Sequence, residues 1–214
     1  MVFKKAIRSK IPEATIRRLS LYDRCLEGFL QSGKKVVSSS DIAKKCGTNP
    51  AQIRKDFAYF GEFGVRGVGY YVENLQADIK KALGIDHSWN CALVGAGNLG
   101  FALLGTDSLA KRGFKISAIF ERDPILVEMG SFQDIPLYPM DEMSRIIPEL
   151  GIRIGIIAVS PESAVRVALN LTNAGVRGIL NFTPATIKVP PGIILKNVDF
   201  AIDLEGIAFQ LNNE

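Results

Sequence analysis

The hexapeptide Gly95-Ala96-Gly97-Asn98-Leu99-Gly100 has the glycine spacing G-x-G-x-x-G, which lets a chain turn sharply and bring its backbone against a pyrophosphate. Glycines gather in many turns, so the context has to carry the reading. Here the motif follows the apolar run Cys91 to Val94 and opens a helix expected over Asn98 to Arg112. The first glycine then makes the turn, the second admits the phosphates, and the third lets helix and strand pack closely. The helix start adds free N–H groups and a partial positive charge. A second strand ends at Phe120-Glu121, where an acidic side chain accepts hydrogen bonds from an adenosine ribose and repels a 2′-phosphate. Arg122 weakens that preference, because a neighbouring guanidinium suits a phosphate. The pattern predicts a dinucleotide site for NAD. Another nucleotide, such as coenzyme A, or a purely structural glycine turn is the alternative.

A second chemistry lies in basic residues. A helix capped by Thr48 or Asn49, with Pro50 in its first turn, runs to Tyr59 and exposes Gln52, Arg54 and Lys55. Arg and Lys suit guanine edges or phosphates, and Gln suits adenine. Before it, Ser38-Ser39-Ser40 caps a short helix with Ile42, Ala43 and Cys46 on its inner face, and Gly47 turns out of it. Small Ala43, turning Gly47 and apolar Ile53 let two helices pack steeply in a helix-turn-helix. The segment Gly61 to Tyr71 holds four glycines and predicts a tight hairpin, with Arg66 at the tip of a wing that reaches toward the DNA backbone or minor groove. The alternative is a small helical oligomerisation domain with a solvated basic face.

The elements that position these groups fall into two sets. From Ala14 to Gln31 the residues Ile16, Leu19, Tyr22, Leu26, Phe29 and Leu30 recur three and four apart, the signature of an amphipathic helix stopped by Ser32-Gly33. Leu75, Ile79 and Leu83 mark another helix that ends at Gly84. From Cys91 on, strands alternate with helices, which implies a parallel sheet covered on both faces. Strands are expected over Cys91 to Val94, Lys115 to Phe120, Arg153 to Val159, Val176 to Leu180 and Val198 to Ile202. Helices are expected over Asn98 to Arg112, Asp141 to Leu150, Pro161 to Ala174 and Leu204 to Leu211. The fold class is α/β: a winged helix-turn-helix domain over residues 1–84, a linker over 85–89, and a Rossmann domain with a doubly wound, mainly parallel sheet over 90–202.

Charge follows the same division. Residues 1–89 hold 16 Lys and Arg against 9 Asp and Glu, a net +7, whereas residues 90–214 hold 10 against 13, a net −3. The N-terminal part is the one suited to a polyanion. No apolar run approaches the roughly 18 residues of a membrane span. The opening Met1-Val2-Phe3-Lys4-Lys5 lacks the apolar core of a signal peptide, so a cytoplasmic protein is expected. Cys25, Cys46 and Cys91 lie far apart in apolar patterns, and His87 is the sole histidine; buried thiols are expected, with neither a disulfide scaffold nor a metal site. The five expected strands use nearly all of residues 90–214, so no substrate domain is expected. His87 sits in a linker-like setting, Tyr138 in a Pro-flanked segment, and nothing places Lys188 beside Tyr138, so no proton donor is evident for hydride transfer. A ligand-binding regulator is expected rather than a compact NAD-dependent reductase with an accessory helical domain.

In chain order, Ile11-Pro12-Glu13-Ala14-Thr15, Arg18-Leu19, Ser38-Ser39, Ile53-Arg54-Lys55-Asp56-Phe57-Ala58-Tyr59-Phe60-Gly61, Gly67-Val68-Gly69-Tyr70, Gly97-Asn98-Leu99-Gly100, Gly178-Ile179-Leu180-Asn181-Phe182-Thr183-Pro184 and Asn197-Val198-Asp199-Phe200 span nearly the whole sequence. Together they resemble the redox-sensing transcriptional repressor family Rex. The resemblance implies a homodimer that binds a palindromic double-stranded operator with NAD⁺ or no ligand and lets go when NADH rises. It implies a swapped C-terminal dimerisation helix, here residues 203–214, packed on the partner's N-terminal domain. Phe200 would enter the partner's nicotinamide pocket, and Asp199 would pair with Arg24 in the DNA-binding form. Val159, Ser160, Asn181 and Thr183 join the expected cofactor contacts, and Ser39, Thr48, Tyr59 and Gly67 the expected DNA contacts. Many members carry a Tyr near the position of Thr106 to join the Arg24–Asp199 pair, and this sequence has Thr there instead.

Overall fold

The computed structural model describes residues 11–61, 63–65, 67–105 and 108–213, so Arg66 and Thr106 lie outside the described residues. The chain divides into two compact units after His87.

In the first unit, α1 (Glu13–Gln31) turns Leu19, Tyr22 and Leu26 inward, as its three-and-four spacing requires. After β1 (Val36–Val37), α2 (Ser39–Cys46) begins with a capping box, in which the Ser38 hydroxyl accepts the Asp41 N–H and the Asp41 carboxylate accepts the Ser38 N–H. Gly47, at φ 65°, ends it in a left-handed conformation that a side chain would oppose. Asn49 then caps α3 (Pro50–Ala58) by accepting the Gln52 N–H at 2.8 Å. β2 (Tyr70–Tyr71) and α4 (Val72–Leu83) complete the unit. Leu19, Tyr22, Leu26, Ile42, Ile53, Phe57, Leu75 and Ile79 form one buried cluster, each worth about 1.5–3 kcal/mol in burial.

Among the described residues, the expected hairpin over Gly61 to Tyr71 shows one bridge, between Val65 and Gly69. Tyr70-Tyr71 instead pairs antiparallel with β1. The Phe57 ring meets Phe63 and Tyr70 edge-on, with centroids 5.2 and 5.3 Å apart. Aromatic burial against α3 therefore replaces local strand pairing.

The second unit is a seven-stranded sheet covered by helices. Its strands are β3 (Trp89–Val94), β4 (Phe114–Glu121), β5 (Ser131–Phe132), β6 (Ile135–Pro139), β7 (Ile154–Ile157), β8 (Gly178–Asn181) and β9 (Ile194–Asn197). They lie in the order β5-β6-β4-β3-β7-β8-β9. All neighbours are parallel except β5 and β6. The helices are α5 (Asn98–Leu104), α6 (Ser108–Lys111), α7 (Pro124–Glu128), α8 (Met143–Glu149), α9 (Pro161–Asn173) and α10 (Phe200–Leu211).

Four expectations are corrected. The single helix over Asn98 to Arg112 ends at Leu104, with Gly105 as its cap, and a short α6 follows. The strand over Val198 to Ile202 does not exist: β9 supplies the sheet edge, and Asp199 caps α10 by accepting the Ala201 N–H at 2.9 Å. β5 and β6 went unforeseen, so Tyr138 stands in a strand beside β4. Finally, Cys25 and Cys46 are not separate thiols. Their sulfurs are in contact and their Cα atoms 6.4 Å apart, whereas Cys91 is a free buried thiol pushed up to about 12 by burial.

Candidate functional site

Two functional faces are present, one on each unit. On the sheet unit, β3 pairs with β4 on one side and β7 on the other, so chain direction across the sheet reverses there. Such a switch point opens a crevice at the carboxyl ends of the strands. A cleft of about 490 Å³ lies at that end, lined by Gly95, Gly97, Phe120, Glu121, Arg122, Met140, Asp141, Ala158, Val159, Ser160, Ser163, Arg166, Val167 and Asn170.

Three glycines do different work around it. Gly95, at φ 98°, bends the chain out of β3, and any Cβ there would run into the Ala158 carbonyl. A Cβ on Gly100 would strike the Gly95 carbonyl, so this glycine permits the close approach of α5. A Cβ on Gly97 would meet nothing within 4 Å; the space above it is where a phosphate can come down on backbone. Since α5 has only seven residues, its dipole adds little, and the loop N–H groups carry most of the anion affinity.

Glu121 closes the loop from the opposite side. Its Oε2 accepts the Ala96 N–H at 2.6 Å, and its Oε1 accepts the N–H groups of Arg122 at 2.7 Å and Asp123 at 3.1 Å. A carboxylate has about four acceptor sites, so room is left for a ribose hydroxyl. The apolar walls Phe120, Met140, Val159 and Val167 and the polar groups Glu121, Arg122, Ser160, Ser163, Arg166 and Asn170 suit the face and edges of an adenosine. The residues present therefore fit a nucleotide. Ser163, Arg166 and Asn170 were not foreseen. Their spacing of three and four on α9, directly after Ser160-Pro161, was the signal that could have found them.

Ala96 sits in the loop as expected, but Asn98, Leu99 and Gly100 do not line the cleft. Asn181 and Thr183 are buried and hydrogen-bond to each other. The Asn181 Oδ1 accepts the Thr183 N–H at 3.0 Å and its hydroxyl at 2.8 Å, while its amide donates to the Thr183 carbonyl at 3.0 Å and the Asn197 Oδ1 at 3.0 Å. They shape the turn after β8. Phe200, the first residue of α10, is 60% exposed, and its ring centroid lies 6.4 Å from that of Phe182. Asp199 is half-buried on the same helix start, and Arg24 lies exposed on α1 in the other unit.

On the first unit, α3 exposes Arg54 and Lys55. Arg54 donates to the Ser39 hydroxyl at 3.0 Å, which brings the start of α2 and the middle of α3 onto one basic face. Thr48 is half-buried in the turn, and Tyr59 packs against the core at the end of α3. Gly67 is exposed in the loop tip. Gln52 is partly committed inward, because its amide donates to Asp56 at 2.9 Å.

Asp56 is the residue that sequence reasoning passed over. It has no exposed surface, yet its carboxylate accepts two bonds from Arg18 at 2.6 Å, one from Tyr22 at 2.8 Å and one from Thr15 at 3.3 Å. Burial alone would raise this carboxyl, but the hydrogen bonds from Arg18, Tyr22 and Gln52 outweigh it and hold it below the usual carboxylate range. The bond to Asp56 raises Arg18, and burial followed by the hydrogen bond to Asp56 raises Tyr22. α3 is thus clamped to α1 by a bidentate pair.

Comparison with known proteins agrees with this geometry. A family described as "Putative DNA-binding protein N-terminus" matches residues 10–58, and one described as "CoA binding domain" matches residues 86–185. The redox-sensing transcriptional repressor Rex of Syntrophobacter fumaroxidans is 47% identical over 204 residues, covering 95% of this chain and 97% of its own. That of Carboxydothermus hydrogenoformans is 45% identical over 206 residues, covering 96% and 98%. The solved structure of RSP in complex with β-NAD⁺ and operator DNA has a TM-score of 0.90 at 36% identity, over 95% of this chain and 93% of that one. RSP in complex with β-NADH has a TM-score of 0.84 at 35% identity, over 95% of both chains. On identity and coverage together, the chain belongs to the redox-sensing transcriptional repressors of the Rex family.

Proposed function

We propose that the chain is a cytoplasmic repressor that senses the ratio of NADH to NAD⁺, binding a palindromic operator as a homodimer with NAD⁺ or no ligand and leaving it when NADH binds. One observation carries the reading: RSP, alike over 95% of this chain, has been solved with β-NAD⁺ on operator DNA and separately with β-NADH. The cleft and the basic face described above are the matching parts here. Dinucleotide is a signal and not a reagent, because this family is one of repressors. Among the described residues no helix is long and apolar enough to cross a membrane.

We propose these roles. Gly95, Ala96 and Gly97 receive the pyrophosphate, Glu121 takes the ribose, and Arg122, Val159 and Ser160 bound the adenosine, with Ser163, Arg166 and Asn170 added to them. Asn98, Leu99, Gly100, Asn181 and Thr183 hold these groups in place. Ser39, Thr48, Gln52, Arg54, Lys55, Tyr59 and Gly67 form the DNA face, and Arg66, outside the described residues, is assigned to it from the sequence alone. The apolar α10 covers a second copy, placing Phe200 beside that copy's nicotinamide, and Asp199 answers Arg24. Oxidised nicotinamide is planar and positive, whereas the reduced ring is neutral and puckered, so a pocket that sorts them can sort two dimer shapes. A ligand shifts an equilibrium only by its differential affinity. A preference of about 3 kcal/mol for the non-binding shape favours it more than a hundredfold.

The test is a fluorescence titration. NADH added to the protein on a labelled palindromic duplex should release it, with no NADH consumed in the presence of small carbonyl compounds. Arg54→Ala should weaken operator binding by roughly 10- to 100-fold with NADH affinity intact. Phe200→Ala should leave both bindings and break their coupling. NADH turnover without DNA affinity would reverse the reading in favour of an enzyme.

A further inference from the structure

We propose that Cys25 and Cys46 form a reversible thiol–disulfide pair through which oxidants tighten the hold of the reading unit on DNA, independently of dinucleotide. The inference goes beyond the function above and rests on its DNA-binding reading.

The fold brings together two cysteines 21 positions apart, one on α1 and one at the last residue of α2. Their Cα separation of 6.4 Å lies inside the span of about 4.4–6.8 Å that disulfides bridge without backbone movement. Access is unequal. Cys46 is half-buried and reachable from solvent, while Cys25 is 8% exposed behind it. That is the arrangement of an attacked sulfur and a resolving one. A DNA-bound regulator works in a reducing compartment, where an adjacent pair cycles rather than persists as a staple.

With a peroxide as the oxidant, the Cys46 sulfur attacks one peroxide oxygen. The O–O bond breaks, a sulfenic acid forms, and the first water leaves after proton transfer. The Cys25 sulfur then displaces the sulfenic oxygen as a second water, and the S–S bond closes. Two thiols and one peroxide give one disulfide and two waters, with two electrons passing from sulfur to oxygen. A dithiol reductant reverses the change by exchange.

The place of the bridge gives it an effect. Gly47, Thr48 and Asn49 are the only residues between Cys46 and α3. The last turn of α3 is already tied to α1 through Asp56 and Arg18. A covalent link from Cys46 to α1 fixes the start of the turn as well, so α3 is held at two points. Holding a binding element in its bound arrangement removes ordering cost from association.

The experiment uses the full chain with and without hydrogen peroxide, followed by dithiothreitol. Thiols are alkylated and located by mass, and binding to a labelled operator duplex is read by anisotropy without dinucleotide. Peroxide should remove Cys25 and Cys46 from alkylation together and leave Cys91 free once the chain is denatured. It should also tighten operator binding by about 3- to 10-fold, with reversal by dithiothreitol and no response in Cys46→Ser. Cys25→Ser is the second variant, should the first fold poorly. Failure of the two thiols to pair, or pairing with unchanged or weakened binding, overturns the proposal. Reduced protein that binds no operator overturns the DNA-binding reading instead, while alkylation still decides whether the bridge forms.

Discussion

Asp56, a carboxylate with no exposed surface, sits in the last turn of the helix that presents Arg54 and Lys55, held by Arg18, Tyr22, Thr15 and Gln52. In an Arg- and Lys-rich stretch such a residue reads as one more solvated charge, which is why sequence alone did not single it out. Asp56→Ala leaves Arg18 facing an emptied pocket and should destabilise the first unit by about 3 kcal/mol, visible in urea unfolding. The pH dependence follows from the lowered carboxyl. Its folded value lies below the unfolded one, so the stability it adds is present above the ordinary carboxylate range and is lost as pH falls through the folded value. Asp56→Asn should therefore flatten the loss of thermal stability on acidification that the natural chain shows. Glu121, by contrast, was legible, because its place at the end of a strand after G-x-G-x-x-G admits few other readings. Glu121→Ala removes the acceptor proposed for the ribose and releases three loop N–H groups, and should weaken NADH by about 10- to 100-fold in calorimetry.

Helix starts were the best-read elements because their caps are chemically distinctive. Ser38 with Asp41, and Asn49 with Pro50, each combine an acceptor with a turn former, and both caps form. Asn49→Ala should cost about 1 kcal/mol and weaken operator binding in proportion, since the cap also sets where α3 starts. An unchanged melting temperature in circular dichroism would contradict this. The end of the chain was harder. Val198 and Ile202 are β-branched and flank Asp199 and Phe200 in strand-like alternation, yet Asp199 uses its carboxylate as a cap and α10 begins there. The helix is apolar on nearly every side, so it offers no periodicity to read. Gly105 was likewise invisible as a break inside an otherwise helical run, because a single glycine is tolerated in helices.

For the molecule as a whole, the uneven charge was plain from composition. What the composition could not show is where the apolar surface of the last helix goes. Phe200, Ile202, Leu204, Ile207, Phe209 and Leu211 are all more than half exposed within one chain, a surface that soluble proteins cover by association. Removing residues 200–214 should therefore give a monomer in sedimentation, still able to bind NADH but with operator affinity reduced to that of a single reader. A truncated chain that remains dimeric would place the interface elsewhere.

That uncovered helix also has a consequence for inheritance. With the proposed pairing through α10, a variant that keeps this helix but carries Arg54→Ala and Lys55→Ala should draw normal copies into mixed pairs. Produced beside the natural gene product, it should impair repression out of proportion to its amount. The same double variant lacking α10 should be silent.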